Sequence, residues 1–489
     1  MAGQESLFLM DKILPAVKFL VSFIFVFGAV VFFHELGHFI TAKLFGVRVE
    51  EFALGMGPRI WGFTKGETEY KLCLFPIGGY VKMSGEEPEE AKGKTLSEHD
   101  YYGQPPYKRF LITFSGPLMN FVLAFVIFIV VYMLGLYDYQ PVVGPVEAGS
   151  PAEQAGIKSG DVIVSASGKK IHAFSEVFKA IDKAKESLTL KVKRDGAIKT
   201  FDVSVSTKKE ENIFGEIVDM NFIGIDADIE PVVSDIAESS PASFFGLRPG
   251  DRIKKINDTD IVFWQDIYQT LNENNESVSS SEFHGWEKTW NALMQKKDVP
   301  ALVKIVWLTV ERGEKIIRKP IVIPARKKIS PLPIEDEKDD EYIWLIGIEP
   351  DMPLFSYSFP AAIGKSAERI QDTTAFIFKV FEMLFRGKLG KKALGGPIMI
   401  GKMIKKTTEH GLVPVLIFTA VLSLHLGIIN YFPFPALDGG HMVFSIIEII
   451  RRKPLSLKVM EYIQKTGFAI LIALIIYVSY YDILRLAGE

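Results

Sequence analysis

Residues 34–38 read His-Glu-Leu-Gly-His. On a helix the two histidines lie one turn apart and face the same way, so both imidazoles can bind one zinc ion. Glu35 stands beside them and can take a proton from water held at that metal. With eight histidines in 489 residues, chance produces such a motif on the order of once in a hundred chains of this kind. The bland alternative leaves three ionisable side chains snorkelling at the end of an apolar run, and burying them there without a partner costs free energy. Two ligands are not enough, because a catalytic zinc usually takes three from the protein and keeps one position open. The next candidate is remote: Asp438, in the stretch NYFPFPALDGGH at residues 430–441.

The elements that must bring these residues together are apolar blocks. Four are long enough to span a bilayer, which needs about 20 helical residues: residues 13–33, 110–136, 412–434 and 466–481. The first lacks a small-residue cleavage site and runs directly into His34, Glu35 and His38, so it does not read as a signal peptide. Lys and Arg crowd the loop between the first and second blocks and the loop between the third and fourth, which places both loops in the cytoplasm. His34 and His38 then follow the first span at its cytoplasmic end, and Asp438 follows the third span at the same depth. Composition narrows the rest. Lys+Arg 56 against Asp+Glu 59 lacks the basic excess of a nucleic-acid binder. A single cysteine, Cys73, excludes an intramolecular disulfide and a multi-cysteine zinc site.

The long segment between the second and third blocks repeats itself. PVVGPVEAGSPAEQAGIKSGDVI starts at residue 141 and PVVSDIAESSPASFFGLRPGDRI at residue 231. Each copy continues into a strand pattern and then a Gly-Ile pair, Gly224-Ile225 and Gly347-Ile348. The second copy is longer, with a polar insertion around NENNESVSSSEFHGWEK that reads as a loop or small appendage. The order resembles the circularly permuted PDZ domains of bacterial proteases. That resemblance implies that each Gly-Ile pair presents backbone N–H groups to a peptide carboxylate beside a groove open to strand addition. A duplicated β-rich spacer that binds nothing is the alternative. Residues 355–410 include a charged helical pattern, expected as an amphipathic helix near the membrane and not as a fifth span.

HELGH, GMGPRI, SGPLMN and NYFPFPALDGGH, in that order and topology, resemble the site-2 protease family of intramembrane zinc metalloproteases over essentially the whole chain. The resemblance implies one zinc per chain held by His34, His38 and Asp438, with Glu35 as acid/base. It implies that Asn430, Pro433 and Pro435 shape the active-site side of the third span and hold substrate. It also implies that residues 52–83 form a β-hairpin re-entering the membrane, with Gly55 and Gly57 at the substrate. The expected architecture is a polytopic α-helical membrane protein with four transmembrane helices, a membrane-associated hairpin and two extracytoplasmic PDZ domains. Its boundaries are 1–40 (first span), 41–109 (hairpin loop), 110–136 (second span), 137–228 and 229–352 (PDZ domains). They continue with 353–411 (helical linker), 412–441 (third span), 442–465 (cytoplasmic loop) and 466–489 (fourth span).

The expected activity is cleavage of single-pass membrane proteins already trimmed outside by a site-1 type protease, such as an anti-sigma factor, in a bacterial inner membrane. A PDZ adaptor with a degenerate metal site has no need of Glu35. A zinc transporter needs a continuous polar path that the second and fourth blocks do not offer. Other polar residues have structural readings: Asn120 as a helix-packing amide, His425 as a satisfied residue between helices with a substrate contact as its alternative, and His441 as interfacial; for Asn430 the packing amide is the alternative to holding substrate.

Overall fold

The computed structural model describes residues 2–86, 96–212, 216–238, 240–273, 278–279, 302–327, 342–388 and 395–488. Most of the polar insertion expected in the second repeat lies outside them. The chain divides into two compact units, residues 1–136 with 356–489, and residues 137–355.

The first unit is helical. Its elements are α1 (Ala2–Leu44), a hairpin of β1 (Val49–Lys65) and β2 (Thr68–Met83), α2 (Pro106–Leu134), α3 (Phe359–Phe385), α4 (Pro397–Glu409), α5 (Leu412–Tyr431), α6 (Asp438–Arg451) and α7 (Leu457–Gly488). Among the described residues four helices are long and apolar enough to cross a membrane: Ile13–Leu44, Pro106–Leu134, Leu412–Tyr431 and Leu457–Leu484. Proline and glycine punctuate them. Pro106 opens α2, where its missing N–H costs nothing, and Gly135 closes it at φ 109°. Phe432 is extended because Pro433 follows it, so α5 stops at Tyr431. The third span expected through residue 441 is therefore two helices with a break between them. Val30, Ala124, Phe128, Ala420 and Leu424 form the core where α1, α2 and α5 meet. Ile377 and Phe381 of α3 join that core, so the amphipathic helix lies along the spans.

The hairpin is more than two strands. Leu54 pairs with Gly79 and also with Leu72, while Trp61 pairs with Leu72 further along. Residues 49–54 therefore sit between 79–83 and 69–72, and residues 61–65 lie outside 68–72. Among the described residues no strand pairs with the outer edge of 79–83. The far end is apolar and exposed, with Met56, Ile60, Trp61, Leu74 and Phe75 all more than half accessible. A contiguous patch of this kind marks a membrane or protein contact.

The second unit carries the duplication into three dimensions. Ser150 caps the helix Pro151–Ala155, and Ser240 caps Pro241–Phe244. Asp161 takes a two-pronged bond from Arg194 at 2.6 Å, and Asp251 the same from Arg312 at 2.6 and 2.7 Å. Burial alone would push both carboxyls up, but the guanidinium forks and an amide each from Lys158 and Arg248 outweigh it and hold them below the usual carboxylate range. Stability from these pairs is present at neutral pH and is lost as pH falls through the depressed carboxyl pKa. Gly224 and Gly347 occupy matching places at φ 83° and 79°, where a side chain would overlap Ser150 or Ser240. Trp264 packs against both apolar cores, and its backbone N–H donates to Ile229 O at 2.8 Å.

Candidate metal centre

The sequence sets His34 and His38 on the last turns of α1, and the fold brings Asp438 to them. His34 Nε2 and His38 Nε2 are 3.3 Å apart. Asp438 Oδ2 lies 3.1 Å from the first and 3.5 Å from the second. Ligands about 2.0–2.1 Å from a tetrahedral zinc are separated by about 3.3–3.4 Å, so this triangle has the dimensions of three zinc ligands. Asp438 Oδ2 is buried and takes no well-formed hydrogen bond. A carboxylate oxygen in that position lacks a positive partner, which a cation inside the triangle would supply. The residues present therefore fit the metal.

Each donor has a support. His38 Nδ1 donates to the Ile112 carbonyl at 2.8 Å, which leaves the Nε2 lone pair facing the triangle. Gly116 makes room for that ring, since a Cβ at this position would overlap His38 Nε2. Gly37, inside the motif, lets α1 approach the Ser115 carbonyl of α2 in the same way. Asp438 is the first residue of α6. The break at Pro433 and Pro435 turns the chain back, and Gly439 and Gly440 are needed because a Cβ on either would meet the carbonyls of Phe432 and Phe434. Further along α6, Glu448 forms a buried ion pair with Arg109 of α2 and accepts from Leu455 N at 2.9 Å. Glu35 lies against Gly79 and the backbone of Val81, on the outer edge of the hairpin sheet. A cavity of about 220 Å³ reaches Glu35, the two histidines, Asp438 and the edge residues Gly79 and Val81.

The family model for peptidase family M50 matches residues 22–474. The chain belongs to peptidase family M50. Relatives align over nearly the whole chain. A protein of Thermotoga maritima named "Putative zinc metalloprotease" is 30% identical, aligned over 96% of this chain and 99% of its own. The regulator of sigma-E protease RseP of Escherichia coli is also 30% identical, over 96% and 98%. The protease RseP of Yersinia pestis is 29% identical over the same shares. The chain is accordingly a metalloprotease.

In this M50 peptidase the other expected site residues are scattered. Asn430 is buried on α5 but does not line the cavity. Gly55 and Gly57 sit at positive φ on the hairpin, under Phe75, and do not line it either; Gly79 does. Ile225 is buried, and the Gly224 and Gly347 carbonyls accept from Glu147 N and Ala237 N at 3.0 Å each. His425 bonds to the Val421 carbonyl at 2.8 Å within its own helix. His441, expected as interfacial, lines the cavity, where its Nε2 is 3.2 Å from Gln464 Nε2. Sequence reasoning missed Gly79, Gly116 and Glu86, the last a further acid lining the cavity. Gly116 carries a signal as a glycine inside an apolar spanning helix, where a small residue lets a neighbour approach closely.

Proposed function

We propose that this M50 peptidase is an intramembrane zinc endopeptidase holding one zinc per chain on His34, His38 and Asp438. The observation that carries the reading is a donor triangle of zinc dimensions at the end of a helix long enough to span a bilayer. When bound, zinc would polarise the scissile carbonyl and lower the pKa of water enough for its proton to be removed near neutral pH. Glu35 takes the proton from the attacking water and returns it to the leaving amine. The outer edge of residues 79–83 accepts the substrate as an added strand. A substrate helix hides its peptide bonds, and once unwound in lipid its backbone needs such partners. Asn430, Pro433 and Pro435 do not line the cavity, and their role is to shape the break that presents Asp438 to the substrate side. The natural substrate class is a single-pass protein of the anti-sigma type in a bacterial inner membrane, shortened beforehand by a separate protease. The sigma-E naming of relatives supports this class.

The Lys/Arg bias supports a metal near the cytoplasmic face and residues 137–355 in the periplasm. Cysteines introduced near Lys82 and Arg452 should react only with reagent supplied from the cytoplasm, and ones near Gly168 and Gly313 only from outside. Labelling of the Lys82 and Gly168 positions from one side would end the four-span reading.

The duplicated segment is a pair of PDZ domains that restrains the protease by bulk, with Gly224-Ile225 and Gly347-Ile348 as the carboxylate-facing loops. Every residue of the metal triangle lies outside residues 142–349, so deletion of the pair leaves the donors in place. Cleavage in membranes should be compared for a full-length single-pass substrate and one lacking its external domain. The intact chain should cut only the shortened form, and the deletion variant should cut both. A well-folded deletion variant that still rejects the full-length form removes the filter. Loss of cleavage of the shortened form from an Ile348 change alone would instead assign the groove to recognition of the new C-terminus.

A further inference from the structure

Asn120 stands on α2 with no solvent exposure, and its side-chain amide meets His34 Nδ1 at 3.2 Å. As drawn, the amide nitrogen faces the ring and the amide oxygen is buried with no donor. Only the contact with Nδ1 bears on the sense of the amide, since nothing donates to its oxygen, and oxygen and nitrogen exchange places on a half-turn. The two senses have different consequences for His34. If the amide donates to Nδ1, the ring proton sits on Nε2 and points into the triangle formed with His38 and Asp438. If the amide oxygen accepts from Nδ1–H, the Nε2 lone pair points there instead. Only the second sense makes His34 a ligand.

We infer that Asn120 is a positioning residue that accepts the Nδ1 proton of His34 and so aims its Nε2 at the metal. The neighbouring ligand is treated in the same way, since His38 Nδ1 donates to the Ile112 carbonyl. One helix, α2, thus sets the tautomer of both imidazoles, through a backbone carbonyl for one and the Asn120 amide for the other. The inference rests on the metal-site reading above.

The test is zinc affinity of the full chain in detergent, by competition with a chelator of known strength, together with the visible spectrum of the cobalt-loaded protein. Asn120→Leu keeps the volume and removes the acceptor, and should weaken zinc binding about 10–100-fold. Asn120→Asp keeps an acceptor and cannot act as the amide donor, so it should bind zinc within a few-fold of the parent and keep the cobalt spectrum. An unchanged affinity in Asn120→Leu overturns the inference. So does Asn120→Asp weakened as much as Leu, which would mark the amide as a donor or a packing group. If the Leu variant is not recovered folded, the Asp variant decides alone. Parent protein that binds no zinc, or binds it no better than His34→Ala, would instead sink the metal site itself.

Discussion

Purified Glu35→Gln protein should retain zinc at the parent level and cleave a membrane substrate about 10³-fold more slowly. Glu35 is not one of the three donors that converge, so its amide leaves the triangle of His34, His38 and Asp438 intact. What the amide cannot do is accept a proton, and general acid–base groups contribute about 10²–10⁴ in rate. Asp438→Ala should behave in the opposite order. It removes a donor 3.1 and 3.5 Å from the two imidazoles, and zinc affinity should fall by at least about 10²-fold, with activity following the metal. The pair of measurements, zinc per chain and cleavage rate, separates base from ligand. Parent-level cleavage by Glu35→Gln would mean that another group handles the proton, and Glu86, in the same cavity, would be the first to change.

Gly116→Ala should cost the protein its metal through a single methyl group. The backbone at Gly116 is ordinary α-helix, and alanine there gains about 1 kcal/mol in helix propensity. The methyl would occupy the space of His38 Nε2, however, and the ring has no retreat because its Nδ1 is tied to the Ile112 carbonyl. Zinc affinity should drop about 10²-fold or more while the helix content of the protein is unchanged. Gly28→Ala is the matched control, since a Cβ at Gly28 on the same spanning helix as the histidines meets nothing within 4 Å. Equal zinc affinity in Gly116→Ala and Gly28→Ala would show that the site can yield, and that α2 does not clamp it.

Much of this was legible in the residue order. HELGH announces its chemistry because the ligand spacing and the helical period coincide. Asp438 was legible for a different reason, since charge bias put it at the same depth as the histidines. The four spans were legible because length and apolarity are local properties. What could not be read was anything decided by contact across the chain. Arg109 and Glu448 each look like ordinary surface charge until α2 and α6 pack and bury both. Alternation along residues 49–83 identifies strands but not that 49–54 is paired on both sides, nor that 79–83 is left as the edge. Asn120 reads as a packing amide because its role depends on the orientation of a ring 86 positions away.

The break between α5 and α6 has a consequence for biosynthesis. A chain emerging from the ribosome makes His34, Glu35 and His38 about 400 residues before it makes Asp438. The donor that closes the triangle is residue 438, and it reaches the histidines only after the third span has turned back and Glu448 has found Arg109. Until that residue is made the nascent peptidase is missing the third donor. Order of translation alone therefore keeps the donor triangle open until residue 438 has been made and folded back.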